Sequence, residues 1–301
     1  MKIISVFNNK GGVGKSSLSF HLGKALGLMG KKVLFVDLDP QCNLTISAMR
    51  ENELENIWQE EDSYIEDFET AKEKNSEEYL KIIGETRSIH FLLKPAEDGV
   101  NDIEKLPPAR IISENVYMIP GRLSIHQFEN KISDRWSGLY QSDNLSIRTI
   151  TYIRRVCERY AETLGVDFVL VDTSPSLGIL NKTIISTVDG FIIPAQPDMF
   201  SLYGIRNIGN SLASWGKELN TIYNLISEEK REKFPKKFVQ FLGYTIYNAK
   251  KYDGNNEYQL ADAHYSYAKR IPEVIKQYIK DDNKIHVDDI DMPIAGKAIM
   301  H

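Results

Sequence analysis

The sequence predicts a three-layer α/β fold in which a mostly parallel central sheet is flanked by helices. First, its short apolar runs are continuous rather than alternating, as in strands that are buried on both faces of a parallel sheet. Second, a glycine-rich turn and a helical pattern over residues 16–28 separate the first two runs, which gives the order strand, loop, helix, strand. The runs lie at residues 3–7, within 31–39, and at 116–119, 168–171, 191–194 and 241–247.

The segment from about residue 50 to residue 112 differs in composition from these runs. ENELENIWQEEDSYIEDFE (51–69) is dense in acidic residues, and TAKEKNSEEYLKII (70–83) mixes both charges. We interpret the segment as a mainly helical acidic insertion with a solvated face, and not as a separate domain. Residues 217–237 are also charged and predicted to be mostly helical. We therefore expect one domain over residues 1–301.

Composition narrows the class of protein. The chain has 301 residues, a net charge of −5 and 42% hydrophobic residues, which is typical of a globular protein and argues against a surface that is basic throughout. The two cysteines, Cys42 and Cys157, form no CxxC pair, so neither a disulfide framework nor a zinc or iron–sulfur site is indicated. The ending DIDMPIAGKAIMH (289–301) has no closing helix, as expected if the natural chain continues further.

The turn KGGVGKSS (10–17) has the features of a phosphate-binding loop between a strand and a helix. Its glycines let backbone N–H groups converge on phosphate oxygens, and the N-terminus of the helix adds a partial positive charge. We expect Lys15 to neutralise the β- and γ-phosphates, Ser16 to bind Mg²⁺ and Ser17 to contact the α-phosphate. The predicted nucleotide-binding residues of this loop are Gly11, Gly12, Val13, Gly14, Lys15, Ser16 and Ser17.

Carboxylates follow two of the predicted strands. Asp37 and Asp39 end the second apolar run, where the two-residue period of an extended chain places them on the same side. Asp172 follows the run at 168–171 and precedes a Ser- and Pro-rich turn. Because open α/β sheets bind ligands at the carboxyl ends of their strands, we expect these acids to lie near the phosphate loop.

The motif resembles that of the deviant Walker A ATPases, the ParA/MinD group, whose pattern is K-G-G-x-G-K-[ST]-[ST]. Residues 10–17 match it completely, and the resemblance is closest to the ParA/Soj-type partition ATPases. IIPAQPDMFSLYGI (192–205) and VYMIPGRLSIHQFE (116–129) are similar to further segments of that group. The resemblance implies a P-loop fold and hydrolysis of ATP with Mg²⁺.

The resemblance also implies roles for individual residues. Lys10 would reach the ATP of a partner protomer across a homodimer that forms on ATP binding. Asp39 would position the attacking water, while Asp37 and Asp172 would belong to the Mg²⁺ site, Asp172 as a Walker B aspartate. Asn248 would contact adenine. The predicted catalytic residues are thus Lys10, Lys15 and Asp39.

Several functions remain open for such a switch. The first is plasmid or chromosome partition, in which the ATP dimer binds DNA non-specifically in the bacterial cytosol or on the nucleoid, and a ParB-like or other protein activates hydrolysis. The late basic residues could neutralise phosphates. These residues are Lys230, Arg231, Lys233, Lys236, Lys237, Lys250, Lys251, Lys269 and Arg270.

Two further functions are alternatives to partition. A MinD-like positioning ATPase would need a basic amphipathic C-terminal helix, and the acidic ending with Pro293 fits that poorly, so membrane binding is not expected. A regulatory ATPase of the same family could instead act through a protein partner, with the acidic segment as the partner surface. An electron-transfer relative is disfavoured because neither cysteine lies in the expected context.

Overall fold

The computed structural model describes residues 1–247 and 260–285, together with the backbone of 299–300. The strands are β1 (Lys2–Val6), β2 (Val33–Asp37), β3 (Arg110–Ser113), β4 (Val116–Ile119), β5 (Phe168–Asp172), β6 (Gly190–Ala195), β7 (Gln240–Tyr247) and β8 (Ile299–Met300). The helices before β4 are α1 (Lys15–Leu28), α2 (Asn43–Ala48), α3 (Glu51–Glu66), α4 (Phe68–Lys74), α5 (Ser76–Ile82) and α6 (Ile89–Asp98). The later helices are α7 (His126–Trp136), α8 (Asn144–Leu164), α9 (Ile179–Thr187), α10 (Met199–Leu225), α11 (Glu228–Arg231), α12 (Asp262–Ala268) and α13 (Ile271–Tyr278).

The strands form one sheet in the order β3-β4-β2-β5-β1-β6-β7-β8. All neighbouring pairs are parallel except β3–β4, so the predicted three-layer α/β fold is confirmed. The register places Asp172 of β5 opposite both Val6 of β1 and Asp37 of β2. Because parallel strands end at the same edge, the phosphate loop and two of the predicted acids meet there.

Helix α1 lies very close to the sheet. A Cβ at Gly23 would stand 2.1 Å from the Phe35 ring, so only a glycine permits this approach. The helix continues directly from the phosphate loop, which means that this packing fixes the loop against the sheet. The buried apolar strands therefore hold α1 in place, and the N-terminus of α1 lies at the phosphate loop.

The acidic segment is helical from α3 to α6, and its inner face is continuous with the main core. Tyr64, Phe68 and Phe91 form a cluster of ring contacts with centroids 5.5–6.1 Å apart. Glu61 of α3 is fully buried, and its oxygens accept hydrogen bonds from the backbone N–H (2.6 Å) and hydroxyl (2.5 Å) of Ser88. Burial raises the pKa of Glu61 to about 7 in spite of these hydrogen bonds.

Some elements differ from the sequence-based expectation. The antiparallel edge strand β3 is too short and too exposed to be recognised as a buried run. Residues 217–237 are mostly helical as expected, but the helix is interrupted, since α10 ends at Leu225 and α11 covers only Glu228–Arg231. Asn248 lies outside the described residues. Among the described helices, none combines the length and apolarity needed to cross a membrane.

Candidate functional site

The loop between β1 and α1 presents backbone donors at the edge of the sheet. Gly12 and Gly14 adopt left-handed backbone angles, with φ of 71° and 81°, which glycine accepts without strain. Gly14 is the N-cap of α1. Among the described residues, no side chain caps this helix, and its first turn contains no acidic residue. The first N–H groups of α1 are therefore available to an anion, and the dipole of the helix favours one.

Lys15 is the first residue of α1 and points back into this loop. Its Nζ donates to the carbonyl oxygen of Lys10 at 3.2 Å, and the residue is only 7% exposed. Burial lowers the pKa of Lys15 although the nearby charges of Asp172 and Asp39 act in the opposite direction. The electrostatic attraction between a phosphate and a buried lysine ammonium is stronger than that between a phosphate and an exposed one, because water screens the buried charge less.

Ser16 and Asp172 form the contact expected of a magnesium site. Ser16 Oγ donates to Asp172 Oδ2 at 2.5 Å, and Ser19 Oγ approaches Asp172 Oδ1 at 3.3 Å. Burial, helped by the neighbouring Asp37, raises the pKa of Asp172 to about 7. A buried carboxylate beside a hydroxyl is a hard oxygen donor set, and Mg²⁺ bound to phosphates needs only one or two such protein ligands. The residues present therefore fit Mg²⁺.

The segment after β2 is held by the carboxylate of Asp37. Asp37 Oδ2 accepts from the N–H (2.8 Å) and the hydroxyl (2.7 Å) of Thr45, and Oδ1 accepts from the N–H of Asp39 at 3.1 Å. Burial raises the pKa of Asp37 to about 6. Asp39 is nearly buried, and its Oδ1 accepts from the N–H of Gln41 at 3.0 Å. Asp37 thus shapes the turn that presents Asp39.

A chain of buried and partly buried hydrogen bonds connects this turn to helix α3 of the acidic segment. Thr45 Oγ1 accepts from the N–H of Gly121 at 2.8 Å, and the Gly121 carbonyl accepts from Trp58 Nε1 of α3 at 3.0 Å. Arg122 donates to the Trp58 carbonyl at 2.8 Å and to Glu61 Oε2 at 3.2 Å. The turn after β2 is therefore linked to helix α3 of the acidic segment through Gly121 and Arg122.

The side chain of Lys10 extends away from the loop, toward the turn between β6 and α10. Its Nζ donates to Gln196 Oε1 at 2.8 Å and pairs with Asp198 Oδ2. Gln196 Nε2 also donates to the Gly12 carbonyl at 2.9 Å. Burial alone would raise the pKa of Asp198, but the hydrogen bonds from Lys10 and from the Ser201 N–H outweigh it and lower that pKa. The turn thus contacts the phosphate loop at two points.

The structure brings most of the predicted site residues to one edge of the sheet. Lys15, Ser16, Asp172 and Asp39 surround the N-terminus of α1, whereas the Asp37 carboxylate is turned toward Thr45. Gly11 and Gly12 are exposed on the loop, Ser17 is exposed in the first turn of α1, and Val13 is buried. Their binding roles stay predictions, as does that of Asn248.

Sequence reasoning missed three side chains at this edge. Gln196 and Asp198 lie in the PAQPD stretch, which the sequence marks as a similar segment without a role. The ring of Tyr247 lies 2.8–2.9 Å from where a Cβ of Gly14 would be, so it covers the loop from the end of β7. A signal was available for the first pair only, as polar residues at the end of a buried strand.

A parallel α/β sheet with this loop, this helix N-terminus and this Ser–Asp contact defines a P-loop nucleotide-binding protein. The family model described as an AAA domain matches residues 1–225. The chain belongs to this family and to its ParA/MinD type.

Named relatives are similar over part of their length. The chain is 28% identical over 220 residues to the sporulation initiation inhibitor protein Soj of Bacillus subtilis (strain 168), which covers 73% of this chain and 68% of Soj. It is 27% identical over 222 residues to an uncharacterized protein of Mycobacterium tuberculosis (strain ATCC 25618 / H37Rv), covering 73% of this chain and 54% of that protein.

Two solved structures share the fold. The ATP complex of McdA from Cyanothece has a TM-score of 0.60 at 18% identity, with 92% of this chain and 80% of McdA covered. The ParA protein of pNOB8 bound to nonspecific DNA has a TM-score of 0.56 at 20% identity, with 99% and 84% covered. At these identities the two likenesses show the fold alone.

Replacing Asp172 by asparagine is expected to stabilise the nucleotide-free protein at pH 8. Because the folded protein holds this carboxyl with a pKa of about 7, and an unfolded chain with one of about 3.9, ionisation between these values favours unfolding. The loss of folding free energy grows as the pH rises from about 3.9 to about 7 and reaches its full value above about pH 7. The Tm should rise by at least about 2–4 °C at pH 8 and by less at pH 5.

Thermal unfolding followed by circular dichroism measures this effect. The control is Asp134→Asn, which removes the same charge from an exposed position of α7 and should leave the Tm unchanged. A lower Tm of Asp172→Asn at pH 8 would contradict the destabilising burial of this carboxylate.

Proposed function

We propose that this chain is an ATP-dependent dimeric switch of ParA type that hydrolyses ATP slowly until a partner stimulates it. The observation that carries the proposal is the cluster at the carboxyl edge of the sheet, where Lys15, the Ser16–Asp172 contact and Asp39 surround the open N-terminus of α1. The family relation and the ATP complex of a protein with the same fold support it.

In the proposed mechanism each residue has one role. The N–H groups of the loop and the Lys15 ammonium would bind the β- and γ-phosphates, Ser16 and Asp172 would hold Mg²⁺, and Asp37 would contribute to the metal shell. When bound, Mg²⁺ neutralises charge on the phosphate oxygens. Asp39 orients the attacking water, and Lys10 of one protomer approaches the phosphates of its partner.

Sedimentation velocity tests the dimeric switch. We expect the 34.4 kDa chain to sediment as a monomer with Mg²⁺ and ADP and as a dimer with Mg²⁺ and a non-hydrolysable ATP analogue. The same oligomeric state in both nucleotides would refute the proposal, because a switch needs a difference in free energy between its two nucleotide states.

For the biological role we propose partition through non-specific DNA, with a ParB-like or other activating protein, in the bacterial cytosol on the nucleoid. The predicted basic residues Lys269 and Arg270 are exposed in the turn between α12 and α13, and Lys276, which was not among those predicted, is exposed on α13. Two other predicted basic residues serve the fold: Lys230 Nζ donates to the Ser142 carbonyl at 2.6 Å, and Arg231 Nε donates to the Tyr223 carbonyl at 2.7 Å. Lys250 and Lys251 lie outside the described residues.

Neutralising Lys269 and Arg270 together as glutamines is expected to weaken the retention of duplex DNA by the ATP-bound protein. Each lost phosphate contact should reduce the slope of log K against log salt by about 0.9. Fluorescence anisotropy with labelled duplexes of unrelated sequence at several salt concentrations measures both quantities. Lys74→Gln/Lys81→Gln, with the same charge change on the acidic helices, should behave as the parent. Unchanged binding and slope in the first variant would remove this surface from the proposal.

A further inference from the structure

The ammonium of Lys10 occupies a site built by its own chain. Three groups of the segment after β6 surround it: the Asp198 carboxylate, the Gln196 amide oxygen at 2.8 Å, and the ring of Phe200, whose centroid lies 6.0 Å from Nζ. The side chains of Lys10 and Asp198 are 21% and 36% exposed, so the pair is partly shielded from solvent. The lysine that the proposed function assigns to a partner's nucleotide is therefore already engaged in the isolated chain.

The two oxygens of Asp198 have separate tasks. Oδ1 accepts from the Ser201 N–H at 2.8 Å and so caps α10, whereas Oδ2 holds Lys10. Asparagine caps helices as well as aspartate does. A cap alone therefore does not require the negative charge at position 198, and the charge acts on Lys10.

The same turn, between β6 and α10, is also hydrogen-bonded to the phosphate loop. Gln196 accepts from Lys10 through Oε1 and donates through Nε2 to the Gly12 carbonyl at 2.9 Å. The hydrogen bond to Gly12 orients a peptide of the loop, and the one from Lys10 directs that side chain away from it. The Asp198 carboxylate neutralises part of the Lys10 charge and directs its ammonium, so Asp198 competes for Lys10 with any phosphate of another protomer.

We propose that Asp198 is a positioning residue that holds Lys10 within its own protomer, so that this contact must break before Lys10 can serve the nucleotide of a second copy of the chain. The proposal rests on the proposed ATP-dependent dimer and adds to it a contact within each protomer that must be broken before the dimer forms. Asp198 competes with the γ-phosphate of the partner for one cation. The protein without ATP is then kept monomeric by a contact within the chain, and ATP must offer Lys10 a stronger anion.

Asp198→Asn tests this competition, because it keeps the helix cap and removes the charge. A partly exposed ion pair changes an equilibrium constant by up to about fivefold, and a dimer breaks two of them. The variant should therefore dimerise up to about 25-fold more tightly than the parent with Mg²⁺ and a non-hydrolysable ATP analogue. Sedimentation velocity over a concentration series gives the dimer dissociation constants.

Two further variants separate positioning from a general effect. Asp143→Asn removes the same charge from the N-cap of α8, where Oδ2 accepts from the Ser146 N–H at 2.7 Å, and should leave the dissociation constant at the parental value. Lys10→Ala and Lys10→Ala/Asp198→Asn should have the same dissociation constant, since without Lys10 the charge at position 198 has nothing to hold.

The outcomes distinguish this inference from the proposed function. A parent that dimerises with the analogue, and an Asp198→Asn variant that dimerises equally or less tightly, overturn the holding role alone. Tighter dimerisation that persists in the Lys10→Ala background overturns it too, because the effect would not act through Lys10. If neither the parent nor Asp198→Asn dimerises with the analogue, both the proposed function and this inference fail.

Discussion

Replacing Lys15 by alanine is expected to weaken the binding of Mg²⁺ and ATP by about 100-fold or more. Charge-assisted hydrogen bonds to phosphates are worth about 1.5–3 kcal/mol each, and Lys15 would supply at least one from a site that is 7% exposed. Because burial already lowers the pKa of Lys15, its removal should not destabilise the nucleotide-free protein. Isothermal titration calorimetry gives the affinity.

The matched control for this prediction is Lys24→Ala on the same helix. Lys24 lies toward the end of α1 that faces away from the phosphate loop. Lys24→Ala removes the same charge as Lys15→Ala. Because Lys24 lies away from the phosphate loop, this variant should bind ATP with parental affinity. Equal losses in the two variants would mean that overall charge, and not a contact with the phosphates, determines affinity.

Replacing Asp39 by alanine is expected to reduce the rate of ATP hydrolysis by about 100-fold or more while leaving ATP affinity within a few-fold of the parent. General base or orienting groups contribute about 10²–10⁴ in rate. Asp39 contacts the Gln41 N–H within its own turn and is not part of the loop that would bind phosphates. The variant should therefore accumulate as the ATP-bound dimer.

Asp39→Asn distinguishes a chemical role from a structural one. Asparagine keeps the acceptor for the Gln41 N–H and loses the charge, so both variants should lose hydrolysis to a similar extent. Single-turnover measurement of phosphate release, under conditions in which all protein is bound to ATP, gives the rate. Parental turnover by Asp39→Asn would show that the geometry of the turn matters and that the carboxylate does not act on water.

The sequence predicted those parts of the fold and site that depend on local pattern. Continuous apolar runs give parallel strands, and a loop that joins a strand to a helix N-terminus must lie at the edge of the sheet. Ser16 and Asp172 are 156 positions apart, yet both were predictable because each lies at the end of an element whose place in the sheet follows from its type.

Other features depend on which side chains meet across the fold, and no local pattern encodes them. Lys10 meets Asp198 where the start of α10 approaches the phosphate loop, since a Cβ at Gly204 would stand 3.0 Å from Asn9 Oδ1. Trp58 reaches Gly121 from a helix whose composition suggested no more than a charged surface. The orientation of Asp37 is likewise set by Thr45, eight residues later, although alternation had suggested that Asp37 and Asp39 face the same ligand.

The carboxyl edge of the sheet is proposed to bind ATP together with Mg²⁺ through Lys15, Ser16 and Asp172. Calorimetric titration of the unmodified chain with ATP, in the presence of Mg²⁺ and again with excess EDTA, tests it most directly. We expect one ATP per chain, with an affinity at least about 10-fold higher when Mg²⁺ is present, since the metal would join the phosphates to Ser16 and Asp172. An affinity that is the same with and without Mg²⁺, or no binding of ATP, would contradict it.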